Sequence, residues 1–179
     1  MSLVETARLY LRRFQLDDLD GLAGLLSDPD VMRYVGDGQP QSREVADSAL
    51  QSIIRHWQEH GFGRWAAIDK ETQTLIGFGG LRSMIGTPEV VYHFVKSYWG
   101  RGLATELASA SLRYGFEERQ FERIVAVAKP QNVASIRVME KLGMRYLKHT
   151  IYYNMEVVQY EIERAEWDPD DSPYRLRRD

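Results

Sequence analysis

The stretch Trp99-Gly100-Arg101-Gly102-Leu103-Ala104-Thr105 lies where a predicted strand, residues 89–95, is followed by a predicted helix, residues 103–119. Glycines at such a junction let backbone N–H groups converge on an anion, and the helix N-terminus adds its dipole. The stretch therefore predicts a site for a phosphate or pyrophosphate. Taken alone, it is equally compatible with a tight strand-to-helix turn that binds nothing.

Two common nucleotide-binding motifs do not fit this stretch. A Walker loop needs Lys followed by Ser or Thr after its second glycine, whereas Gly102 is followed by Leu103 and Ala104. A dinucleotide fingerprint needs glycine or alanine where Thr105 stands, and an acidic residue about 20 positions further on. The next predicted strand ends in Ala128-Lys129-Pro130, without an acid. Both nucleotide interpretations are therefore disfavoured.

The composition is that of a one-domain globular protein. The chain has 179 residues, of which 44% are hydrophobic and 27% charged. A net charge of -3 provides no overall basic field for nucleic acid or an anionic membrane, so neither is an expected partner. The absence of cysteine excludes disulfides, thiolate nucleophiles and cysteine-based zinc sites. Without a recognisable secretory signal or an apolar run of membrane-spanning length, the sequence predicts a cytoplasmic protein.

Hydrophobic periodicity predicts a mixed α+β fold. Alternation predicts strands at residues 8–14, 64–69, 74–82, 89–95, 123–128, 144–153 and 156–164. Helical spacing predicts helices from about 18 to 26, from the N-cap Ser42 to Gly61, and over 103–119 and 133–142. The apolar stripe of the second helix is predicted as Val45, Ala49, Ile53 and Trp57. The Pro- and charge-rich tail, residues 167–179, is predicted to be mobile.

Two motifs together resemble one protein family. The glycine stretch fits Gln/Arg-x-x-Gly-x-Gly/Ala at Gly102 and Ala104, with Trp99 in the first position. The segment Asn132-x-x-Ser135-x-x-Val138-x-Glu140-Lys141-Leu142-Gly143-Met144 fits an Asn-x-x-Ser and Lys-Leu-Gly-Phe element. These are similar to motifs of the GCN5-related N-acetyltransferases (GNAT), RimJ/RimL-type ribosomal-protein branch. Further matches are Thr6-x-Arg8-Leu9-x-Leu11-Arg12, Ser27-Asp28-Pro29 and Leu75-Ile76-Gly77.

The resemblance implies a GNAT domain over residues 1–166. Its fold would be a central, mostly antiparallel sheet of six to seven strands with a splayed parallel pair, flanked by about four helices. The family transfers acetyl from acetyl-CoA directly to an amine, which agrees with the absence of cysteine. The cofactor-binding residues implied are Phe94, Val95 and Lys96 for the pantetheine arm, Gly100, Arg101, Gly102, Leu103, Ala104 and Thr105 for the pyrophosphate, and Asn132 and Ser135 near the arm and its sulfur.

The resemblance also implies catalytic candidates. Deprotonating a lysine-like amine at pH 7 costs roughly 4.6 kcal/mol, whereas an α-amine costs about 1 kcal/mol, so the acceptor decides how strong a base is needed. Glu89 is the first candidate for the general base, and His93 would share its face of the strand if no bulge intervenes. Ser135 is the candidate proton donor to the leaving thiolate, with Tyr98 and Tyr146 as alternatives.

Other functions remain open at this stage. His56-Trp57-Gln58-Glu59-His60 fits the H-x-x-E-H motif of inverted zinc peptidases, but it abuts Gly61 and has no obvious third ligand. A binding module that holds acetyl-CoA without transferring acetyl is a further alternative.

The acceptor site is the least readable part of the sequence. Residues 32–40 and 152–156 are expected to build it, and the acceptor is either a protein N-terminal α-amine or a small amine. The aromatic cluster Trp57, Phe62 and Trp65 either walls this pocket or belongs to the core. The sequence leaves both monomer and homodimer open.

Overall fold

The computed structural model describes residues 3–152 and 154–177. Within them, nine strands form one sheet in the order β7-β8-β6-β5-β4-β3-β2-β1-β9. The strands are β1 (Leu3–Glu5), β2 (Leu9–Arg12), β3 (Arg64–Asp69), β4 (Leu75–Met84), β5 (Thr87–Phe94), β6 (Arg123–Ala128), β7 (Arg145–Tyr152), β8 (Met155–Glu163) and β9 (Arg175–Arg177). The helices are α1 (Leu19–Ser27), α2 (Pro29–Met32), α3 (Arg43–His60), α4 (Leu103–Arg113) and α5 (Val133–Lys141).

This arrangement confirms the mixed α/β GNAT architecture expected from the sequence. The strand count differs, nine rather than six to seven, because β1 and β9 add short edge strands beyond β2. Each has only three residues, too few to show a readable alternation. Tyr153, the last residue of a predicted strand, lies outside the described residues.

The parallel pair β5 and β6 separates soon after it forms. The two strands are paired at one position only, Glu89 with Val125, whereas β5 stays paired with β4 up to Phe94 and β6 stays paired with β8 up to Ala128. Their carboxyl-terminal ends therefore diverge and leave a V-shaped gap inside the sheet. This gap confirms the splayed pair, and it places the glycine stretch, which follows β5, at the mouth of the gap.

Helix α3 begins and ends where the sequence predicted. The Ser42 hydroxyl accepts a hydrogen bond from the Val45 N–H, and Gly61 adopts a left-handed conformation at the C-terminus. The predicted apolar stripe is wrong at Val45, which is 46% exposed, whereas Ala49 packs against the core and Ile53 and Trp57 are buried. The buried residues of the helix are Ala46, Leu50, Ile53 and Trp57. Residues that are always four positions apart move gradually around a helix of 3.6 residues per turn. A stripe that stays on the buried face must therefore also contain residues three positions apart.

Helix α4 packs directly on the sheet next to the gap. A side chain at Gly79 would lie 2.6 Å from Leu107 of α4 and would clash with the Val91 carbonyl, so only glycine allows this close approach. The predicted helix over 103–119 ends its regular α-helical part at Arg113 and continues as one π-helical turn, Tyr114–Glu118. The close packing holds the N-terminus of α4 at a fixed height above β4 and β5.

The segment after β8 lies against α4 and β1. The Trp167 ring is 5.2 Å from Phe116, the Ser109 hydroxyl donates to Asp170, and Arg113 stacks on Tyr174. The sequence did not predict these contacts; mobility of the segment stays a prediction. Across the described part of the chain, no helix combines the length and apolarity needed to cross a bilayer.

Candidate functional site

The glycine stretch forms the N-terminus of α4. Gly100 and Gly102 have φ angles of +74° and +77°, in the left-handed region that favours glycine. Gly102 is the N-cap of α4, and as a glycine it has no side chain that could cap the first N–H groups of the helix. The Arg101 guanidinium lies 4.8 Å from the Tyr98 ring, beside these groups. Free N–H groups, a helix dipole and a cation together favour a pyrophosphate.

Glu106 attaches the first turn of α4 to the β1–β2 turn. Its Oε1 accepts hydrogen bonds from the Thr6 hydroxyl at 2.6 Å and the Arg8 N–H at 2.7 Å, and its Oε2 accepts from Arg8 Nε at 2.7 Å. Arg8 Nη1 also donates to the Arg101 carbonyl at 2.6 Å. The sequence singled out Thr6 and Arg8 only as family matches, and it carries no local signal for Glu106, almost 100 residues away. The cluster of Thr6, Arg8 and Glu106, which we call the loop clamp, holds the loop in position.

The loop clamp leads to a first prediction. We expect Glu106→Ala to raise the KM for acetyl-CoA about tenfold, because three hydrogen bonds that hold the loop are lost and Arg8 loses its ion-pair partner. Steady-state kinetics with varied acetyl-CoA measures the effect. Glu117→Ala, which removes an exposed pair with Arg113, is the control and should leave KM within twofold. Equal effects of the two substitutions would contradict the assignment.

The β5 edge of the gap exposes backbone groups of alternate residues. The Val95 N–H donates to the Ile76 carbonyl of β4, so the Phe94 and Tyr92 backbone groups point the other way, toward the gap. The indole N–H of Trp99 already donates to the Phe94 carbonyl at 2.7 Å. The Phe94 N–H and the backbone N–H and carbonyl of Tyr92 therefore face the gap, where they can hydrogen-bond an extended ligand arm as they would a neighbouring strand.

The other residues expected to bind that arm through their backbone are largely engaged within the chain. The Val95 N–H pairs with β4, while the Val95 and Lys96 carbonyls accept from Tyr98 and Trp99 in a short 3-10 turn. Trp99, which departs from the family motif in the first position, thus stabilises the end of β5. Of the three predicted backbone partners, Phe94 is the one whose N–H faces the gap.

Asn132 and Ser135 lie at the N-terminus of α5, on the face of the sheet that carries the Tyr92 side chain. The Asn132 side-chain oxygen caps α5 by accepting from the Ser135 N–H at 3.2 Å, which leaves only its amide nitrogen for a ligand. The Ser135 hydroxyl and the Tyr92 hydroxyl are 2.9 Å apart. Desolvation raises the pKa of Tyr92 to about 12, so the pair stays protonated. A chain of two hydroxyls therefore reaches β5 beside the gap.

The two alternative proton donors are placed differently. The Tyr98 hydroxyl donates to Asp69 at 3.2 Å, beneath the loop. Tyr146 is 53% exposed on β7 and packs edge-on against Tyr160. Ser135, by contrast, contacts β5 directly, because its hydroxyl lies 2.9 Å from that of Tyr92, a residue of β5.

Glu89 and His93 lie on the opposite face of the sheet from α5. The Glu89 carboxylate is 1% exposed, at the point where β5 and β6 separate, and accepts a hydrogen bond from Arg82 Nε at 2.6 Å. His93 stacks on Phe78 at 4.6 Å. Burial, followed by the charges of Arg64 and Arg82, lowers the pKa of His93 to about 3, so its imidazole is neutral and a weak base. The predicted shared face is present, since Glu89 and His93 are four residues apart in β5 with no interruption of its register.

A second buried carboxylate, Glu161, was missed at the sequence level. Glu161 of β8 lies opposite Val125, which is also the partner of Glu89, so the two carboxylates flank Val125 on one face. Arg145 approaches one Glu161 oxygen at 3.0 Å and Arg123 the other at 3.6 Å. Its alternation within β8 fits a solvent-facing position, so a sequence pattern alone does not single it out.

His56, the first histidine of the zinc-peptidase motif, is not available to bind a metal. His56 uses both ring nitrogens, Nδ1 with the Phe62 carbonyl at 2.8 Å and Nε2 as acceptor from the Ser83 N–H at 3.2 Å. Over residues 3–152 and 154–177, no three His, Cys, Asp or Glu side chains are grouped as a metal site. A stoichiometric amount of zinc in the purified protein would support the interpretation of this motif as a zinc site.

The aromatic cluster belongs to the core. Trp57, Phe62 and Trp65 are buried, and the two indoles lie 5.8 Å apart. The interpretation of these rings as a pocket wall is therefore wrong. They fill the space between α3, β3 and the π-helical turn at Tyr114.

One of the two predicted acceptor segments approaches the mouth of the gap. Asp30 of α2 pairs with Lys96, in the turn after β5, at 2.7 Å, which brings the start of the segment 32–40 close to this turn. Of the other segment, 152–156, Tyr153 lies outside the described residues, and the rest forms the β7–β8 turn.

Comparison with known proteins agrees with this geometry. Residues 8–145 match the family model of the acetyltransferase (GNAT) domain. The chain belongs to the GNAT acetyltransferase family. YkkB, an uncharacterized protein of Bacillus subtilis (strain 168), is 38% identical over 161 residues, which cover 87% of this chain and 92% of YkkB.

Solved GNAT structures share the fold. A GNAT-family acetyltransferase from Bacillus anthracis superposes with a TM-score of 0.79 at 30% identity, covering 92% of this chain and 99% of that one. RimL, a ribosomal L7/L12 alpha-N-protein acetyltransferase in complex with coenzyme A, superposes with a TM-score of 0.75 at 16% identity, covering 90% and 97%. At that identity the second likeness shows the fold alone.

As a GNAT protein, this chain is an N-acetyltransferase whose cosubstrate is acetyl-CoA. The described residues fit that cosubstrate at both ends. Uncapped N–H groups at α4 suit its pyrophosphate, and the unpaired edge of β5 suits its amide-containing arm.

Proposed function

We propose that this N-acetyltransferase transfers acetyl directly to a primary amine, with Glu89 as general base and Ser135 as proton donor. The observation that carries the proposal is the gap between β5 and β6. The Ser135–Tyr92 hydroxyl pair lies beside the gap on one face of the sheet. On the other face, the buried Glu89 carboxylate lies at the apex of the gap, where β5 and β6 separate. A donor and an acceptor entering from opposite faces would meet there.

Acetyl-CoA would be held by backbone groups and by the side chains of Arg101 and Asn132. Gly100, Arg101, Gly102, Leu103, Ala104 and Thr105 would surround the pyrophosphate. The Phe94 N–H, the Tyr92 backbone and the Asn132 amide nitrogen would bind the pantetheine arm, which lies in the gap as an added strand. The arm directs the thioester toward the apex of the gap, beside Glu89.

The transfer needs two proton movements. The amine nitrogen attacks the thioester carbonyl carbon, and the Glu89 carboxylate takes one proton from that nitrogen, directly or through one water. The C–S bond then breaks, and the departing thiolate takes the Ser135 hydroxyl proton, which a proton from solvent replaces, while the Tyr92 hydroxyl keeps its own proton and holds Ser135 in place. Arg82 holds the Glu89 carboxylate in place, and the neutral His93 adds no competing positive charge.

We place the chain in the RimJ/RimL-type branch on the two sequence motifs and the likeness in fold to RimL. The acceptor is a protein N-terminal α-amine or a small-molecule amine, met in the cytoplasm, by a monomer or a homodimer. A buried carboxylate held as an ion pair suits an amine of low basicity, whose deprotonation costs only about 1 kcal/mol at pH 7.

The test is an acceptor screen with the purified protein. Thiol release from acetyl-CoA is followed over N-terminal peptides, amino acids, polyamines and aminoglycosides, and the mass of each acceptor is measured afterwards. We expect amine-dependent thiol release with an equal amount of N-acetylated product. Tight binding of acetyl-CoA without turnover over the whole panel would favour the non-catalytic binding module instead.

A further inference from the structure

Arg64, the first residue of β3, lies on the same face of the sheet as the proposed base. In the sheet register Arg64 is opposite Gly80, which is opposite Val91 of β5. Opposed residues of neighbouring strands share a face, and so do residues two apart in one strand. The Arg64 side chain therefore stands on the face that carries Glu89 and His93, across a glycine that has no side chain to separate them.

The positive charge of Arg64 has no partner. Arg82, its neighbour on this face, forms an ion pair with Glu89 at 2.6 Å. Within residues 3–152 and 154–177, the Arg64 guanidinium makes no hydrogen bond and has no carboxylate within ion-pair distance. Arg64 is partly buried, and this desolvation, followed by repulsion from Arg82, lowers its pKa to about 10. Glu161, further along the same face on β8, is paired with Arg145 and Arg123, so Glu89 is the carboxylate nearest to Arg64 and Arg82, and its ion pair with Arg82 leaves Arg64 unpaired.

A second polar group on this face also has no partner. The Nδ1 atom of His93 is buried, and no described atom hydrogen-bonds to it. A buried ring nitrogen without a partner is costly, and in the Nδ1–H tautomer it would donate to an anion. The unpaired guanidinium and this orphaned donor lie on β3 and β5, the two strands that flank β4, on one face of the sheet, and the charge of Arg64 contributes to the lowered pKa of His93.

We propose that Arg64 and His93 form a subsite for a carboxylate carried by the acceptor, so that the acceptor is an amino acid rather than a simple amine. This inference rests on the proposed acetyl transfer and narrows its acceptor class. Arg64 binds the carboxylate through its planar fork, His93 donates one further hydrogen bond, and the amino group then points toward Glu89. Neither residue takes part in bond making, so both are positioning residues.

The choice of a carboxylate follows from the charges present. A polyamine would bring further positive charge next to Arg64, whose own charge has no ion-pair partner because Glu89 is paired with Arg82. The backbone of a protein N-terminus carries no carboxylate at its first residue, so it would leave Arg64 unpaired. An amino acid supplies one negative charge beside the reacting amine and satisfies both orphaned groups.

The experiment compares acids with their amides. Thiol release is measured for the twenty α-amino acids and β-alanine, each beside its carboxamide, which keeps the amine and removes the negative charge. We expect kcat/KM for the best acid to exceed that of its amide by about tenfold or more, the size expected for charge-assisted hydrogen bonds. Amides that are equally good in every pair would overturn the subsite and leave acetyl transfer standing.

Variants of Arg64 test the assignment to that residue. In Arg64→Met the acid-to-amide ratio should fall at least tenfold, and Arg64→Lys should keep part of the preference because the charge remains without the fork. The ratio compares two substrates of the same preparation, so it does not depend on how much of a variant is folded. Arg55→Met removes an exposed arginine of α3 and should keep the wild-type ratio.

Three results would count against the subsite. A ratio that is unchanged in both Arg64 variants would overturn it. So would an Arg55→Met ratio that falls as far as that of Arg64→Met. Absence of thiol release with every amine would overturn the proposed function and the subsite together, which distinguishes that failure from a loss of preference alone.

Discussion

Replacing Gly102 with valine is expected to raise the KM for acetyl-CoA by about a hundredfold, because backbone strain and loss of the anion site act together. Gly102 has a φ of +77°, a region that a β-branched residue almost never adopts. The valine backbone would rotate out of it, and the N–H groups at the start of α4 would no longer converge. Steady-state kinetics and direct titration of acetyl-CoA should show the same loss.

Gly86 provides a matched control for this substitution. It lies in the β4–β5 turn, has a φ of +79°, and has no atom within 4 Å of the position where a side chain would begin. Gly86→Val therefore introduces the same strain, about 1–2 kcal/mol, away from the loop. We expect both variants to lose similar stability, with KM for acetyl-CoA changed only in Gly102→Val. A similar KM in the two variants would mean that the loop does not bind the cosubstrate.

Replacing Glu89 with glutamine is expected to lower kcat by about a hundredfold or more, the usual contribution of a general base. Glutamine keeps the volume of the side chain and its contact with Arg82 in a site that is 1% exposed, but it cannot accept a proton. The KM for acetyl-CoA should change little, because Glu89 lies on the face opposite α5. Thiol release at saturating amine measures kcat, and the melting temperature reports on folding.

Glu161→Gln is the matched control for Glu89. Both carboxylates are buried, both pair with arginine, and both flank Val125, so loss of a buried charge costs similar stability in each. We expect kcat of Glu161→Gln to stay within about threefold of wild type, since Glu161 lies on β8, beyond β6 as seen from the cosubstrate. A larger loss in Glu161→Gln than in Glu89→Gln would transfer the role of general base to Glu161.

The features that the sequence predicted well are those decided by neighbouring residues. The turn at Gly100 and Gly102, the N-cap at Ser42 and the left-handed Gly61 all depend on local backbone geometry, which a single residue type reveals. The gap between β5 and β6 was implied by the family resemblance, and Pro130 after β6 is consistent with it because proline has no N–H for pairing.

The features that the sequence did not predict depend on residues far apart in the chain. Glu106 joins residues almost 100 positions earlier, and β9 pairs with β1 at the other end of the chain. Neither contact leaves a periodic pattern. The charged face of the sheet is a third case, because Arg64 stands at the start of β3, where a polar residue is ordinary, and Glu161 alternates within β8 as a surface residue would. Only the strand order brings them to the same face as Glu89.

The central claim is direct transfer of acetyl from acetyl-CoA to an amine on this chain. The most direct measurement is the initial rate of thiol release with both substrates varied, together with the mass of the protein after acetyl-CoA is added without amine. Direct transfer predicts intersecting double-reciprocal lines and an unmodified protein. Parallel lines with an added acetyl group on the protein, or no amine-dependent release at all, would contradict it.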